Sequence, residues 1–524
     1  MHMSEGESKK SLLYKLKPIY DRLPTIKKPD GHVHFKTKMF WLVLILILYF
    51  ILTNVMIYGL DQENTIDLFE SYRAIMAGAQ GSLMHLGIGP IVTGSIIMQL
   101  FVGAKIIKLD LKDDDDKAVY QGAQKFLVIV MIIVESVPQV YGYLVPSDNL
   151  IGNIGGGWAK ILIIAQLCFG SYLVFLMDET VSKWGIGSGI SLFIAAGVAQ
   201  QIFTGTLNWM PVDSALPTSL ANPPAGTVMK TIYYFTNVSA QEMSGGYFET
   251  LLINPPNPII ALIGTLVIFF FVAYIESVRI ELPLAHESAR GARGRYPIKL
   301  IYASNIPVIL IAAVLANVGM FAMLFWSNSF FSTVPLIGQN PLVGYYADFG
   351  SGPQLTGGAA WYVSTLGGLQ DWLLPIFDSR YLPYYETGVQ KSLFQVMVRL
   401  FVYVAVMIFG SILFAKFWID TTNMGPKSVA EQIQSSGMQI PGFRRDPRIL
   451  EKVLERYIPV VTVLSGAIVG GLAAFADMLG TVGNSSGTGV LLAVGIMIQT
   501  YEAMGREQMM EMHPMLRGFF GGDG

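Results

Sequence analysis

Long apolar stretches alternate with polar connections along most of the chain. Ten stretches are long enough, or nearly so, to cross a bilayer, which takes roughly 20 mainly apolar residues. They occupy residues 39–60, 85–107, 120–144, 156–177, 185–206, 256–278, 300–326, 391–418, 457–479 and 486–503. The pattern predicts an all-α polytopic membrane protein with ten transmembrane helices.

The connection between the first two stretches, residues 61–86, is moderately apolar but too polar to cross the membrane. Its centre, residues 69–78, predicts a short amphipathic helix. The sequence therefore places a small helix, which does not span, directly before the second stretch.

The second and fifth stretches both begin with glycines. Ile88 and Val92 follow one glycine-rich start, and Ile190 and Ile194 follow the other. Residues four apart share one face of a helix, so each helix offers a pair of branched aliphatic side chains beside a backbone that permits close approach. Two such helices predict a narrow apolar collar, which is typical of a gated pore rather than of a catalytic pocket.

Composition supports the membrane class. Hydrophobic residues make up 52% of the 524 residues and charged residues only 14%, whereas a soluble domain has about one quarter charged. The net charge of −2 gives no indication of nucleic-acid binding. The single cysteine, Cys168, excludes an intrachain disulfide and a metal cluster built from cysteines.

Positive charge alternates between the two sides of the predicted bundle. Lys and Arg are frequent before the first stretch and in residues 105–125, 279–299 and 416–456. They are rare or absent in residues 61–84, 145–155, 209–255, 327–390 and 480–485. Because positive connections stay on the cytoplasmic side, both termini are expected there.

Catalytic motifs are not found in the sequence. It contains neither a phosphate-binding G-x-x-x-x-G-K-[ST] loop nor an H-E-x-x-H zinc motif. The ionisable residues within the predicted spans are Glu135, Glu276, Arg399 and Asp477. Isolated charges near helix ends favour structural pairing over a proton relay, but Glu135 lies deep and needs polar partners. Thr93 and Asn317 have the most suitable depth for that role.

Nine short strings together resemble one known family. They are Gly87-Ile-Gly-Pro-Ile-Val-Thr93, Ile96-Ile-Met-Gln-Leu100, Tyr120-Gln-Gly122, Gly185-Ile-Gly-Ser-Gly-Ile190, Pro283-Leu-Ala-His286, Tyr296-Pro-Ile-Lys299, Ser304-Asn-Ile-Pro-Val-Ile309, Gly442-Phe-Arg444 and Gly487-Thr-Gly-Val-Leu-Leu492. In this order they resemble the protein-conducting channel subunit, SecY in prokaryotes and Sec61 alpha in eukaryotes, and the archaeal branch most closely. The resemblance runs from the first stretch to the last.

The resemblance implies two pseudo-symmetric halves of five helices around a central hourglass pore. The division predicted for this chain is 1–208 for the N-terminal half, 209–255 for an external loop and hinge, and 256–524 for the C-terminal half. The long loop 327–390 and the acidic run 113–116 depart from the family pattern. The run Asp113–Lys117 also matches a common cleavable tag, so we draw no function from it.

The resemblance also implies three sets of site residues. The pore ring would be Ile88, Val92, Ile190, Ile194, Ile309 and Leu492. The plug would be residues 69–80, with Phe69, Tyr72, Arg73, Ile75 and Met76. The polar cluster of the lateral gate would be Thr93, Glu135 and Asn317. A hydrophobic constriction blocks ions by dewetting, which fits the ring. An interfacial surface helix is the alternative for 69–80.

Two basic loops, 279–299 and 416–456, match the ribosome-docking elements of the family. Arg293, Arg295, Arg444 and Arg445 are the predicted contacts with ribosomal RNA phosphates and proteins, which would make binding salt-sensitive. The alternative is that these arginines only enforce topology or contact anionic lipid. The resemblance alone implies the partner subunits SecE (gamma) and the small beta subunit.

The sequence thus predicts a passive channel in the plasma membrane, without cofactor or metal and not an enzyme. It would conduct unfolded secretory polypeptides and release signal sequences and transmembrane segments sideways into lipid. A secondary transporter also uses glycine-interrupted spans, but it would place polar groups where these faces are aliphatic. An intramembrane protease would need paired catalytic residues, which the predicted spans lack.

Overall fold

A computed structural model describes residues 13–512 except 21, 62–72, 74, 104–105, 108, 110–112, 214–215, 287–292, 300–304, 328–337, 349–352, 387, 423, 436–437, 440–446 and 484. Ten principal helices correspond one to one to the ten apolar stretches. They are α1 (Phe35–Asn54), α2 (Gly89–Gly103), α3 (Asp114–Gly142), α4 (Gly156–Trp184), α5 (Gly189–Leu207), α6 (Ile259–Ser277), α7 (Ile306–Ser327), α8 (Leu393–Thr421), α9 (Pro447–Leu479) and α10 (Gly487–Met512).

Eight of these helices are long and apolar enough to cross a bilayer by themselves. The helix α2 is apolar but has only 15 residues, a length of about 22 Å against a hydrocarbon core of about 30 Å. It begins inside the bundle, because Gly89 and Pro90 at its start are buried. The helix α10 is apolar in its first half and charged toward its end.

Small residues let the helices approach closely. Gly94 on α2 lies against the backbone of Val128 on α3. On α9, Gly466 and Gly470 lie against α8 at the level of Ser411. A Cβ at any of these glycines would stand 3.0 Å or less from the neighbouring helix. Such contacts are the usual basis of helix packing in membranes, where dispersion replaces the hydrophobic effect.

The first five helices meet the last five along two lines. On one side α2 and α3 pack against α7, and α2 also contacts α8. On the other side α5 and α1 pack against α10. One large apolar cluster lies between these two contact regions. All ten helices contribute residues to it.

A small antiparallel sheet joins the two most basic connections, and the sequence did not predict it. Its order is β2-β1-β7, with β1 (Arg279–His286) paired to β2 (Arg293–Lys299) and also to β7 (Met438–Gln439). The loop after α6 and the loop after α8 therefore form one structure. Ala285 on β1 is paired with Gln439 on β7.

The long connection between α7 and α8 folds back on itself. It contains two small hairpins, β3 (Tyr345–Asp348) with β4 (Pro353–Gly357) and β5 (Tyr384–Glu386) with β6 (Val389–Gln390). Short helices lie between them at Gly358–Val363, Leu369–Trp372, Leu374–Phe377 and Ser379–Tyr381. The Lys391 ammonium lies 3.9 Å from the centre of the Trp361 ring, which ties this connection to the start of α8.

The remaining short helices belong to other connections. They are Lys17–Tyr20, Asp148–Ile154, Thr227–Asn237, Ala240–Glu242, Phe248–Leu252 and Pro426–Ser435, with a π-helical turn at Met243–Tyr247. The helix Thr227–Asn237 packs against α5 and is called the cap helix below.

Candidate functional site

The start of α2 is fastened to the segment that precedes it. Gly87 adopts φ +54°, a left-handed conformation that favours glycine, and a Cβ there would stand 2.0 Å from the Met76 carbonyl oxygen. The N–H of Ile88, the next residue, donates a 2.7 Å hydrogen bond to that same oxygen. The end of the predicted plug therefore touches the first predicted ring residue.

Part of the described stretch of the predicted plug is buried in the main apolar cluster. Ile75 and Arg73 are buried, and Met76 contacts Gly89 through its sulfur atom. The Tyr49 hydroxyl on α1 donates to the Ala77 carbonyl at 3.1 Å. Burial on this scale argues against an interfacial surface helix. Phe69 and Tyr72 lie outside the described residues.

The six predicted ring residues belong to one apolar cluster. Five of them are buried in it and the sixth, Ile190, is half-buried and packs against it. They come from α2 and the residue just before it, α5, α7 and α10, and none is exposed on the outside of the bundle. They are Ile88, Val92, Ile190, Ile194, Ile309 and Leu492. The structure thus places in one cluster the two pairs that the spacing predicted and the two residues that the resemblance added, while their role in sealing a pore remains a prediction.

The start of α5 is held by a carboxylate from the preceding helix. Asp178 on α4 accepts a 2.9 Å hydrogen bond from the Ile190 N–H and also faces the N–H of Gly189. A carboxylate at a helix N-terminus satisfies free N–H groups and complements the helix dipole. Asp178 therefore fixes the turn that carries Ile190 and Ile194.

The start of α10 is held in the same way. Asp477 on α9 accepts hydrogen bonds from the Thr488 N–H at 2.8 Å, the Thr488 hydroxyl at 2.6 Å and the Tyr403 hydroxyl at 2.5 Å. Leu492 lies one turn further along α10. Sequence reasoning passed over Asp178 altogether and gave Asp477 only a general structural role. The available signal was an acidic residue 10 or 11 positions before the glycine that begins the next helix, Gly189 or Gly487.

The predicted gate residues meet across the line where α2 and α3 contact α7. The Asn317 side-chain amide on α7 donates to the Thr93 hydroxyl on α2 at 3.0 Å, and that hydroxyl donates to the Gly89 carbonyl at 3.0 Å. Glu135 is buried, with Oε2 beside Gly89 and with Oε1 lacking a hydrogen-bond partner among the described residues. We call Thr93, Glu135 and Asn317 the seam cluster.

A second polar chain links the plug region to the same seam. The Gly81 N–H donates to His85 Nδ1 at 3.0 Å, so Nε2 carries the proton and donates to the Tyr143 hydroxyl at 3.0 Å. Tyr143 in turn donates to Gln139 on α3 at 3.0 Å. Glu135 and Asn317 line a cavity of about 40 Å³ together with His85, Tyr143 and Gln139. This volume is large enough for water.

The other intramembrane charges pair locally. The Asn305 amide donates to Glu276 at 3.2 Å, next to Gly495 of α10. Arg399 donates to the Ser364 hydroxyl at 3.0 Å and to the Thr365 carbonyl at 2.8 Å, both in the loop before α8. This pairing with a loop agrees with the structural role expected for these residues.

The four arginines predicted to dock a ribosome are only partly placed. Arg293 and Arg295 lie on β2, in register with Ala285 and Pro283 of β1. Arg444 and Arg445 lie outside the described residues. The sheet nevertheless brings the two loops that carry all four into one unit.

Ten apolar helices surround one large apolar cluster. A plug-like segment packs against this cluster, and a polar seam lies beside it. Together these features define a polytopic membrane channel. Among the described residues, no group of three His, Cys, Asp or Glu side chains could hold a metal ion. The SecY family model matches residues 82–501, and the model described as the plug domain of Sec61p matches residues 47–81. The chain belongs to the SecY family.

Similar proteins agree over nearly the whole length. The protein translocase subunit SecY of Archaeoglobus fulgidus is 44% identical over 98% of this chain and 99% of its own. A solved structure described as a protein-conducting channel has a TM-score of 0.73 and 36% identity, covering 95% of this chain and 98% of its own. Sec61 in a canine ribosome-channel complex has a TM-score of 0.71 at the same identity and coverage.

These findings confirm the predicted family and the ten-helix membrane fold. They also confirm the predicted function class, since the relatives are protein translocase subunits and channels rather than enzymes. The chain is the pore-forming subunit of a protein translocase.

Proposed function

We propose that Ile88, Val92, Ile190, Ile194, Ile309 and Leu492 form the ring through which unfolded secretory polypeptides pass and which seals the pore at rest. The observation that carries this proposal is their convergence from four helices on one buried apolar cluster. Aliphatic side chains exclude ions by dewetting and fit around any sequence without binding it strongly.

The ring is tested by ion leak through the purified complex in planar bilayers. The double variant Ile88→Gly and Ile194→Gly should conduct several-fold more than the unaltered complex, because two side chains that narrow the pore are removed. The double variant Val43→Gly and Ile47→Gly on α1 is the matched control, since both residues are exposed on the outside of the bundle. An equal leak in the two double variants would reject the ring.

The plug is proposed to be residues 69–80, resting against the ring in the closed channel. Its support is the hydrogen bond between Ile88 and Met76 and the burial of Ile75. One cysteine is placed in 69–80 of this chain, from which Cys168 has been removed, and another is placed in SecE. The two should crosslink during translocation and not at rest. Crosslinking in neither state removes the plug role.

The seam cluster is proposed to hold a lateral gate between α2 and α3 on one side and α7 and α8 on the other. A sideways route lets a signal sequence or a transmembrane segment of roughly 20 apolar residues partition into lipid. Hydrogen bonds such as Asn317 to Thr93 are worth about 1 kcal/mol in membranes, which is weak enough for a signal sequence to break.

The sheet β2-β1-β7 and its loops are proposed to dock a ribosome through Arg293, Arg295, Arg444 and Arg445. The similar Sec61 structure comes from a ribosome-channel complex, and both basic loops of this chain contribute strands to one sheet. Phosphate contacts would make this binding salt-sensitive. In a ribosome-pelleting assay, Arg444→Glu with Arg445→Glu should bind less than Lys15→Glu with Lys17→Glu. Equal pelleting would refute the docking assignment.

The remaining proposals concern assembly and placement. We propose that SecE and the small beta subunit complete the complex, and that nascent polypeptides, signal sequences and membrane lipid contact the channel. The halves are proposed to be 1–208 and 256–524, joined by the hinge 209–255. We propose the plasma membrane as the location, on the resemblance to archaeal relatives, and a cytoplasmic position for both termini, which the distribution of positive charge supports. Protease protection of terminal epitopes in inverted vesicles tests that orientation.

A further inference from the structure

The cap helix, Thr227–Asn237, begins at the point where two spans end. The Thr227 hydroxyl lies 3.3 Å from the Gly205 carbonyl near the end of α5 and 3.1 Å from the Asn257 carbonyl just before α6. The Gly226 N–H donates to the Asn208 carbonyl at 2.9 Å. These contacts fix the first turn of the cap helix beside the end of α5 and the start of α6.

The two faces of the cap helix are reversed relative to a helix on a protein surface in water. Thr227, Lys230 and Tyr234 form its buried face, and the first two are 1% exposed. Ile232 and Phe235 lie on the outward face and are 54% and 66% exposed, with the exposed Thr236 beside Ile232 in the last turn. A helix in contact with water buries its apolar side chains and exposes its charge, so this arrangement calls for an apolar surrounding on the outside.

The inward polar groups have partners within the chain. The Lys230 ammonium donates to the Pro256 carbonyl at 2.7 Å, and burial lowers the pKa of Lys230 to about 8. The Tyr234 ring packs edge-on against Tyr247 with ring centres 5.5 Å apart. The polar groups on the inward face are therefore satisfied within the chain. The exposure of the apolar side chains on the outward face needs a separate explanation.

The apolar outward face continues onto the neighbouring span. Phe203 in the last two turns of α5 is 65% exposed, and Trp209, two residues after α5, is 76% exposed. Met210, which follows Trp209, lies next to the residues that precede the cap helix. The Ala225 N–H donates to the Met210 carbonyl at 2.8 Å. Tryptophan is enriched where a span leaves the hydrocarbon, so this position marks the interface.

We propose that the cap helix is an interfacial membrane anchor, with Ile232, Phe235 and Trp209 inserted among the lipid headgroups and upper acyl chains. The occupant is the bilayer itself, since the exposed apolar surface is continuous with that of a spanning helix. The anchor holds the connection between α5 and α6 at a fixed depth. It is independent of the ring, the plug and the gate.

The test measures lipid contact in the complete complex, reconstituted in phosphatidylcholine vesicles. In a Cys168→Ser background, Ile232→Cys, Phe235→Cys or Trp209→Cys carries an environment-sensitive fluorophore. Gln241→Cys is the control, because Gln241 is polar and exposed on the short helix Ala240–Glu242 that follows the cap helix in the same connection. Quenching is compared between lipid brominated near the headgroup and aqueous iodide.

Labels at Ile232, Phe235 and Trp209 should be quenched by brominated lipid about twofold or more and be shielded from iodide, with the reverse at Gln241. Iodide quenching at all four positions would overturn the proposal, because the face would then meet water. Shielding of Phe235 from both quenchers would also overturn it, because a protein partner would then be the occupant. Either result leaves the channel function untouched.

Discussion

Among the helices that carry the predicted ring, α2 begins in a different way from α5 and α10. The first turns of α5 and α10 are each held by a carboxylate on the preceding span, Asp178 and Asp477 respectively. The first turn of α2 is held by a neutral carbonyl, that of Met76, on the segment proposed as the plug. The two carboxylates belong to spanning helices, whereas the carbonyl belongs to the segment that we propose leaves when the channel opens.

The comparison indicates which parts of the ring are fixed. A charged acceptor forms hydrogen bonds roughly twice as strong as a neutral one, and its loss leaves buried donors without partners. The ring should therefore have a rigid side at α5 and α10 and an adjustable side at α2, next to the seam cluster. This asymmetry fits a channel that opens toward α2 and α7.

Asp477→Ala should have the largest effect on stability. It removes the acceptor of three hydrogen bonds in a buried site, at a cost on the order of 3 kcal/mol or more. Thermal unfolding of the purified complex measures this as a lower midpoint. Tyr403→Phe removes only one donor and keeps the cap, so its midpoint should fall far less. A similar loss in both variants would contradict the capping role.

Asp178→Ala should destabilise the complex by a smaller amount, about 2 kcal/mol, because Asp178 accepts from main-chain N–H groups only. The same unfolding assay applies. Asp178→Asn retains one acceptor oxygen and should recover part of the loss. If Asp178→Ala proves as harmful as Asp477→Ala, the number of donors does not set the strength of these two caps.

Gly87→Ala should loosen the adjustable side of the ring. A Cβ at this position would meet the Met76 carbonyl at 2.0 Å, and a positive φ costs a non-glycine residue about 1 kcal/mol. Ion leak should rise several-fold, and the unfolding midpoint should fall, because the backbone must shift to relieve this clash. Gly81→Ala is the matched control, because it also has a positive φ but its Cβ would meet only Leu60 at 3.4 Å. A leak from both variants would attribute the effect to backbone strain alone.

Thr93→Val should have the smallest effect, since it removes one seam hydrogen bond worth about 1 kcal/mol or less. Opening is measured as the rate at which a water-soluble maleimide reaches Ala316→Cys on α7, in a chain without Cys168. We expect a rise of up to about fivefold. Thr462→Val on α9 removes a hydroxyl that bonds only within its own helix and should leave the rate unchanged. No difference between the two would argue against a seam held by Thr93.

The sequence predicted those features that depend on local spacing. Ten apolar stretches became ten helices, and the pairs Ile88–Val92 and Ile190–Ile194 lie on the helices where the glycine-led starts placed them. Thr93 and Asn317 were selected because they were predicted to lie at a similar depth in the membrane, and they do form a hydrogen bond. These agreements follow from the fixed periodicity of helices and from the thickness of the bilayer.

Features that depend on contacts between distant segments were not predicted. The pairing of β1 with β7 joins loops about 150 residues apart, and no local pattern specifies it. The carboxylate caps were missed because Asp178 reads as an ordinary charged residue at a helix end. The reversed cap helix was missed because a polar face and an apolar face look the same in sequence whichever one is buried.

The most direct test of the central claim places the translocating polypeptide against the ring. A stalled secretory chain with one cysteine in its translocating segment is oxidised with complexes carrying Val92→Cys, Ile194→Cys or Leu492→Cys, all without Cys168. The account predicts a disulfide with each of the three and none with Ile47→Cys, which is exposed on the outside of α1. A disulfide with Ile47→Cys and none with the ring positions would contradict it.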